Sequence, residues 1–218
     1  MPGYEIASAW QSARLVGGDY FDILPLDDRT LGICIADVSG KGMPAALLMS
    51  NLQAAVRGLS SLSVAPHLLC GRLNSIVYRN TDSDRFITFF CAQLDGPARR
   101  LAYVNAGHNA PFVVRSDGSH ERLREGGTVL GVFASPNYER GSAQLSPGDR
   151  VVLFTDGATE ACSPEGEEFG EARLLSLLED HRRLSADQLQ AKILAVVAEF
   201  SEGRWQDDAT LLVLAVCE

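Results

Sequence analysis

Aspartates stand at the ends of the most apolar, strand-like runs of this chain, and that placement constrains the fold more than any other feature. Asp37 closes "TLGICIAD", Asp156 closes "RVVLFTD", and Asp207 and Asp208 directly precede "ATLLVLAV". Asp19 follows two glycines in "RLVGGDYFDIL", at the head of a fourth run. Glycine weakens a strand interior and usually marks a bulge or a close backbone approach. Taken singly, each acid has a plain reading as a turn residue or a solvated strand end. Taken together they suggest one site. Converging carboxylates repel one another unless a cation neutralises them.

The donor types narrow the cation. No Cys/His cluster with zinc spacing accompanies the acids, and the five cysteines (Cys34, Cys70, Cys91, Cys162, Cys217) are scattered, without a C-x-x-C pair. Oxygen-only ligation favours a hard ion, Mg²⁺ or Mn²⁺. Two such ions roughly 3.5–4 Å apart, sharing a carboxylate, acidify a bridging water and stabilise both oxygens of an in-line displacement. No Ser-His-Asp or Cys-His arrangement competes. His108, in "NAGHNAP", reads as a turn residue that fixes its loop by hydrogen bonds.

The order of periodic segments defines the class. Strands are expected over 4–10, 19–26 and 30–38, the last two joined by the hairpin turn "PLDDRT". "SGKGMPAALLMSNLQAAVRGLSS" follows, with Pro44 suited to a first helical turn. Its apolar residues cover most of the helix circumference, so burial on more than one side is expected. A second helix is expected over 65–79, then strands over 85–95, 100–107 and 110–116. "TVLGVF" and "YERGSAQLS" read as further strands before "DRVVLFTDG". Helices near 168–180 and 185–200 follow, the second opened by Ser185 with Gln188 three residues on, a capping-box signature. A strand over 209–216 closes the chain. Strands, two helices, strands, two helices and a strand make an α+β pattern.

Length, composition and charge exclude some functions. At 218 residues, one domain over 1–218 is expected. A formal net charge of -9 argues against a general nucleic-acid binder, which must neutralise phosphates. No membrane span and no signal peptide is visible, so a cytoplasmic protein with reduced thiols is expected.

With these residues assembled, the chain resembles the PPM superfamily of metal-dependent Ser/Thr protein phosphatases, in its bacterial SpoIIE/RsbU branch. "VGGDYFD", "IADVSGKGMPAALLM", "NAGHNAP", "LFTDGATEA" and "DDATLLVL" stand in the family's order. The resemblance implies an αββα sandwich of two antiparallel sheets with a helix pair on each outer face. It implies two Mg²⁺ or Mn²⁺ ions: Asp37 touching both, Asp19 and the Val38 carbonyl completing the first set, Asp156 and Asp207 holding the second. Asp207 is preferred over Asp208 by motif alignment alone, which leaves Asp208 and Asp22 as turn acids or acids behind the ligands. It further implies attack of metal-activated water on phosphoserine or phosphothreonine, without a phospho-enzyme. Arg14 is a candidate for the substrate phosphate, and Lys41 in "SGKG" a weaker one.

The resemblance also implies a setting. The substrate would be a phosphorylated small bacterial regulator, such as an anti-sigma-factor antagonist. A sensor or linker segment would precede the domain, the helix pair near 43–80 would act as a regulatory element, and a homodimer is one assembly it allows. The rival reading is a weakly active binding module of the same fold that needs an activator segment. Two others are remote: "GGDYF" lacks the acid that a diguanylate cyclase signature needs at Tyr20, and "DVSGKG" lacks the upstream helix of GHKL-type ATPases.

Overall fold

The computed structural model describes residues 1–60, 64–81 and 85–217. It divides into two compact units, each drawn from separated stretches of chain. In chain order the elements begin with β1 (Tyr4–Gln11), β2 (Tyr20–Pro25), β3 (Thr30–Val38), α1 (Met43–Ser60) and α2 (Pro66–Asn80). Next come β4 (Ile87–Asp95), β5 (Arg100–Ala106), β6 (Phe112–Val114), β7 (His120–Arg122), β8 (Gly126–Gly127) and β9 (Gly141–Gln144). The chain ends with β10 (Arg150–Phe154), α3 (Asp156–Thr159), α4 (Gly170–Asp180), α5 (Ala186–Phe200) and β11 (Ala209–Val216). The expected α+β class, with two largely antiparallel sheets and a helix pair for each, is what the chain forms.

One unit comprises Val16–Ala110 and Leu123–Gln144. Its sheet runs β2-β3-β4-β5-β8, with β9 on β5. The β2–β3 hairpin turns where expected: Asp27 Oδ1 accepts the backbone N–H groups of Arg29 and Thr30, each at 2.7 Å. Helices α1 and α2 pack on this sheet through Leu52, Val56, Cys70 and Leu73 against Ala36, Phe89 and Cys91. Each such Leu or Val contributes roughly 1.5–3 kcal/mol by leaving water.

Two expectations fail in this unit. Helix α1 buries a single stripe, Ala45, Leu48, Leu52 and Val56. Met43 and Leu47 are 60% and 61% exposed, because they fall outside the stripe that meets the sheet. "TVLGVF" is not a strand either; only Leu130 pairs, as an isolated bridge to Ile87. The Asn74 side chain takes the backbone groups that a strand would pair, donating to Phe133 O and accepting from Gly131 N, both at 2.9 Å.

The other unit comprises Met1–Leu15, Pro111–Arg122 and Leu145–Glu218. Its antiparallel sheet runs β1-β11-β10-β6-β7. Strand β11 is buried at every position, as its unbroken apolar run requires for a strand with neighbours on both sides. Helices α4 and α5 cover the sheet through Leu174, Leu178, Leu189, Ile193 and Val197. Helix α5 opens with the expected capping box: Gln188 N donates to Ser185 Oγ and Ser185 N to Gln188 Oε1, both at 3.2 Å. Such a cap is worth about 1 kcal/mol. The one-turn helix α3, which the sequence reading missed, starts at Asp156 itself.

Candidate metal centre

The hairpin register explains the glycines before Asp19. Tyr20 pairs with Ala36 and Phe21 with Ile35. Carried one residue beyond the ladder, the same register sets Asp19 across from Asp37, and one further sets Gly18 across from Val38. Directly opposed residues of an antiparallel pair project to one face. Gly18 lies so close to its partner that a Cβ there would sit 3.0 Å from the Val38 carbonyl oxygen. Asp19 is buried and Asp37 half-buried. This unit therefore brings two carboxylates and one backbone carbonyl to one strand end.

The Asp37 end is held from behind. Thr88 pairs with Asp37 in the β3–β4 ladder. Its hydroxyl donates to Asp37 O at 3.3 Å and lies 2.8 Å from His108 Nδ1. His108 is buried, and Asn105 fixes its loop, accepting from His108 N at 2.7 Å and donating to His108 O at 3.0 Å. His108 thus has the hydrogen-bonding role expected of it. Thr88 was not visible as a participant, because only the β3–β4 register places it there.

Asp22 belongs elsewhere. Strand alternation puts it on the same face as Tyr20, opposite to that of Asp19 and Asp37. There it accepts from Tyr20 Oη at 2.9 Å and from Arg57 Nε at 2.7 Å and Nη2 at 3.2 Å. It ties β2 to α1, in neither a turn nor the neighbourhood of Asp19. Burial, with Cys34 and Asp22 beside it, drives the Tyr20 phenol well above its ordinary range.

The second unit builds its own acid cluster from the ends of β10 and β11. Thr155 N donates to Thr210 O at 3.1 Å, and Thr210 N to Thr155 Oγ1 at 2.8 Å. This clasp brings the Asp156–Gly157 step onto the Asp207–Asp208 backbone, where a Cβ on Gly157 would fall 2.0 Å from Asp208 O. No side chain fits there, so the glycine after Asp156 is obligatory. Asp156 and Asp207 are half-buried, whereas Asp208 is buried. Asp208 Oδ1 accepts the Ala13 backbone N–H at 2.9 Å, and Asp207 Oδ1 accepts Asp208 N at 3.0 Å. Arg14, directly after Ala13, is exposed, and so is Lys41 in the other unit. The clasp residue Thr155 was missed; its only signal was a polar residue closing an apolar strand.

Among the described residues, no three His, Cys, Asp or Glu side chains form a metal cage by themselves. Each unit instead supplies a pair of acids. That fits a hard ion such as Mg²⁺, which is bound through one or two carboxylates and keeps several waters. It does not fit zinc, which takes four protein ligands in its closed sites.

The profile of the Stage II sporulation protein E (SpoIIE) family matches residues 27–216. The chain belongs to the SpoIIE family. "Phosphoserine phosphatase RsbU" of Bacillus subtilis (strain 168) is 34% identical over 203 residues, which cover 93% of this chain and 60% of RsbU. The chain thus spans about three fifths of that relative. Among solved structures, the RsbU and RsbW domains of Rv1364c from Mycobacterium tuberculosis superpose with TM-score 0.87 at 27% identity, over 99% of this chain and 60% of that one. The catalytic domain of the serine/threonine protein phosphatase PstP, solved with two manganese ions, shares the fold at TM-score 0.71 and 15% identity, over 99% of each chain. Membership of the SpoIIE family sets aside the cyclase and GHKL readings.

Proposed function

We propose that this SpoIIE-family chain is a Mg²⁺- or Mn²⁺-dependent phosphoprotein phosphatase that hydrolyses phosphoserine or phosphothreonine on a bacterial partner-switching regulator. The observation that carries the reading is the β2–β3 register, which, continued one residue past Tyr20↔Ala36, sets Asp19 across from Asp37, with Gly18 close on the Val38 carbonyl. Asp19, Asp37 and the Val38 carbonyl would hold one ion, and Asp156 and Asp207 another. Bound there, a divalent ion supplies an acidified water and neutralises phosphate charge.

The chain's own groups provide the rest. Thr88, itself bonded to His108, holds the Asp37 backbone carbonyl at the end of β3. Asp208 pins Ala13, which sets the departure of Arg14 towards solvent beside the Asp207–Asp208 segment. From there the guanidinium is suited to a phosphate, which it meets with paired N–H donors. The resemblance to a relative named phosphoserine phosphatase RsbU supports phosphoserine as the group hydrolysed. Among the described residues, no helix is long and apolar enough to cross a membrane.

The test is hydrolysis of p-nitrophenyl phosphate with EDTA, Mg²⁺ or Mn²⁺, alongside calorimetric titration of each metal. Turnover and metal uptake are expected with Mn²⁺ and are lost together in Asp37→Asn. Full turnover in EDTA, or in that variant, would overturn the reading. Metal uptake without turnover would favour a binding module that needs an activator.

A further inference from the structure

The unit built on β10 and β11 holds a cavity of about 630 Å³, which lies wholly within that unit. It sits where β10 starts and β11 ends, at the opposite strand ends from Asp156 and Asp207. Its lining brings together the guanidinium groups of Arg150, Arg182 and Arg183 and the hydroxyls of Ser116 and Ser185. Glu5 is the one carboxylate among the lining residues.

Arg150 is the buried member of this set, only 9% exposed. Its Nε and Nη2 donate to Leu184 O at 3.2 and 2.9 Å, and its Nη1 to Gly148 O and Asp149 O at 3.0 and 3.1 Å. These carbonyls fix the guanidinium plane but carry no net charge. Both acids nearby are engaged elsewhere. Asp149 pairs with Arg115 at 2.6 Å, and Glu5 Oε2 accepts Ala186 N at 3.2 Å at the start of α5. Burial outweighs the fields of Glu5, Cys217 and Asp149 and holds the Arg150 pKa below its ordinary value. Among the described residues, Arg150, Arg182 and Arg183 make no ion pair. Buried charges are ordinarily paired, and an anion in this cavity would pair Arg150.

Further donors stand beside it. Arg182 spends Nε on Ser116 O at 3.3 Å and Nη1 on Glu179 O at 2.7 Å, which leaves Nη2 for a ligand. Ser185 Oγ accepts from Gln188 N at 3.2 Å, so its proton remains to be donated. The N-terminus of α5 adds the positive end of a 15-residue helix.

We propose that this cavity binds a phosphate-type oxyanion, seated on Arg150 and gripped by Arg182, Arg183 and the Ser185 hydroxyl. Guanidinium groups meet phosphate oxygens with paired N–H donors, and several forks around one cavity match an anion with many acceptor oxygens. The volume lies in the range of small-ligand sites and leaves room for a diphosphate with its waters. The inference does not rest on the phosphatase reading, since no candidate metal ligand lines the cavity.

The test is calorimetric titration of the whole chain with pyrophosphate, in EDTA to keep divalent ions out. One equivalent is expected to bind, to raise the thermal midpoint, and to bind more weakly as salt rises. The double variant Arg182→Glu/Arg183→Glu, checked for folding by circular dichroism, is expected to lose at least about tenfold in affinity. Arg182→Lys/Arg183→Lys should keep most of the binding, because the charge remains. Unchanged affinity in the folded Glu variant would overturn the proposal. So would binding that survives in that variant but is lost in Arg14→Glu, which would put the anion at Arg14. Citrate, a tricarboxylate, is expected to bind more weakly, and equal affinity would overturn the phosphate assignment. Glu218 follows Cys217 and lies outside the described residues. Pyrophosphate binding that appears only in Glu218→Gln would also overturn the proposal, by making Glu218 the occupant.

Discussion

The Asp208 carboxylate accepts the backbone N–H of Ala13 at 2.9 Å, joining two points 195 residues apart in the chain. This bond gives Asp208 a long-range partner, where motif alignment alone had distinguished it from Asp207. Asp208 is buried and bonded to Ala13, whereas Asp207 is half-buried, and Asp207 is the proposed ligand. Asn at 208 keeps an oxygen to accept from Ala13, so Asp208→Asn should stay within about threefold of wild type in Mn²⁺-dependent turnover. Asp207→Asn should lose about a hundredfold or more, beyond the roughly 10–100-fold typical of residues behind a metal ligand. Equal losses in steady-state assays would remove the distinction.

Gly157→Ala should be the more damaging of two glycine substitutions, because its Cβ would meet backbone at 2.0 Å. A cost above the roughly 1–3 kcal/mol of ordinary core overpacking is expected, because the clash is with backbone, together with loss of turnover. Gly18→Ala, at 3.0 Å from Val38 O, should cost less stability but weaken Mn²⁺ binding measurably in calorimetric titration. Gly58→Ala provides the opposite sign. It lies within α1 with nothing near its Cβ position, so it should add about 0.5–1 kcal/mol in urea denaturation.

Arg57→Met should lower the urea midpoint, because it leaves the Asp22 side chain, only 10% exposed, without its paired donor. Arg57 is itself 59% exposed, so solvent screening keeps the loss modest. Asp22→Asn added to Arg57→Met should recover part of that loss. A double-mutant cycle in urea measures the coupling, and a value of zero would show that the pair holds nothing.

Alkaline pH should destabilise the chain through its buried thiols. Burial, with Cys91 nearby, pushes the Cys34 thiol up, and the Cys91 thiol is raised by its hydrogen bond with Cys70 and by burial. A raised folded pKa means that the stability contribution is whole below the unfolded value, about 8.5 for a thiol, and is lost as pH rises beyond it. Each group contributes a slope of about 1.4 kcal/mol per pH unit in that window. Urea midpoints from neutral pH to above pH ~9 should fall accordingly, and Cys34→Ala should flatten the decline. An unchanged decline in that variant would assign it to other groups.

The sequence alone determined most of the element order and the acids that stand at the apolar strand ends. Apolar runs such as "TLGICIAD" and "ATLLVLAV" are long enough to read as strands, and periodicity and caps are local properties that need no partner to be visible. The capping box at Ser185 is of this kind, and so is the Asp27 turn. The tertiary structure decided everything that depends on what lies across a gap. It turned α1 to bury one stripe instead of most of its circumference, because only one face meets the sheet. It gave the backbone after Thr128 to Asn74 instead of a strand, and it sent Asp22 to Arg57 and Asp208 to Ala13. The glycines of "VGGD" and "TDGA" lie between the two cases. Their presence announces a close approach, but only the β2–β3 register and the Thr155–Thr210 clasp show which carbonyl each approaches, because that distance is set by strand pairing between residues far apart in the chain.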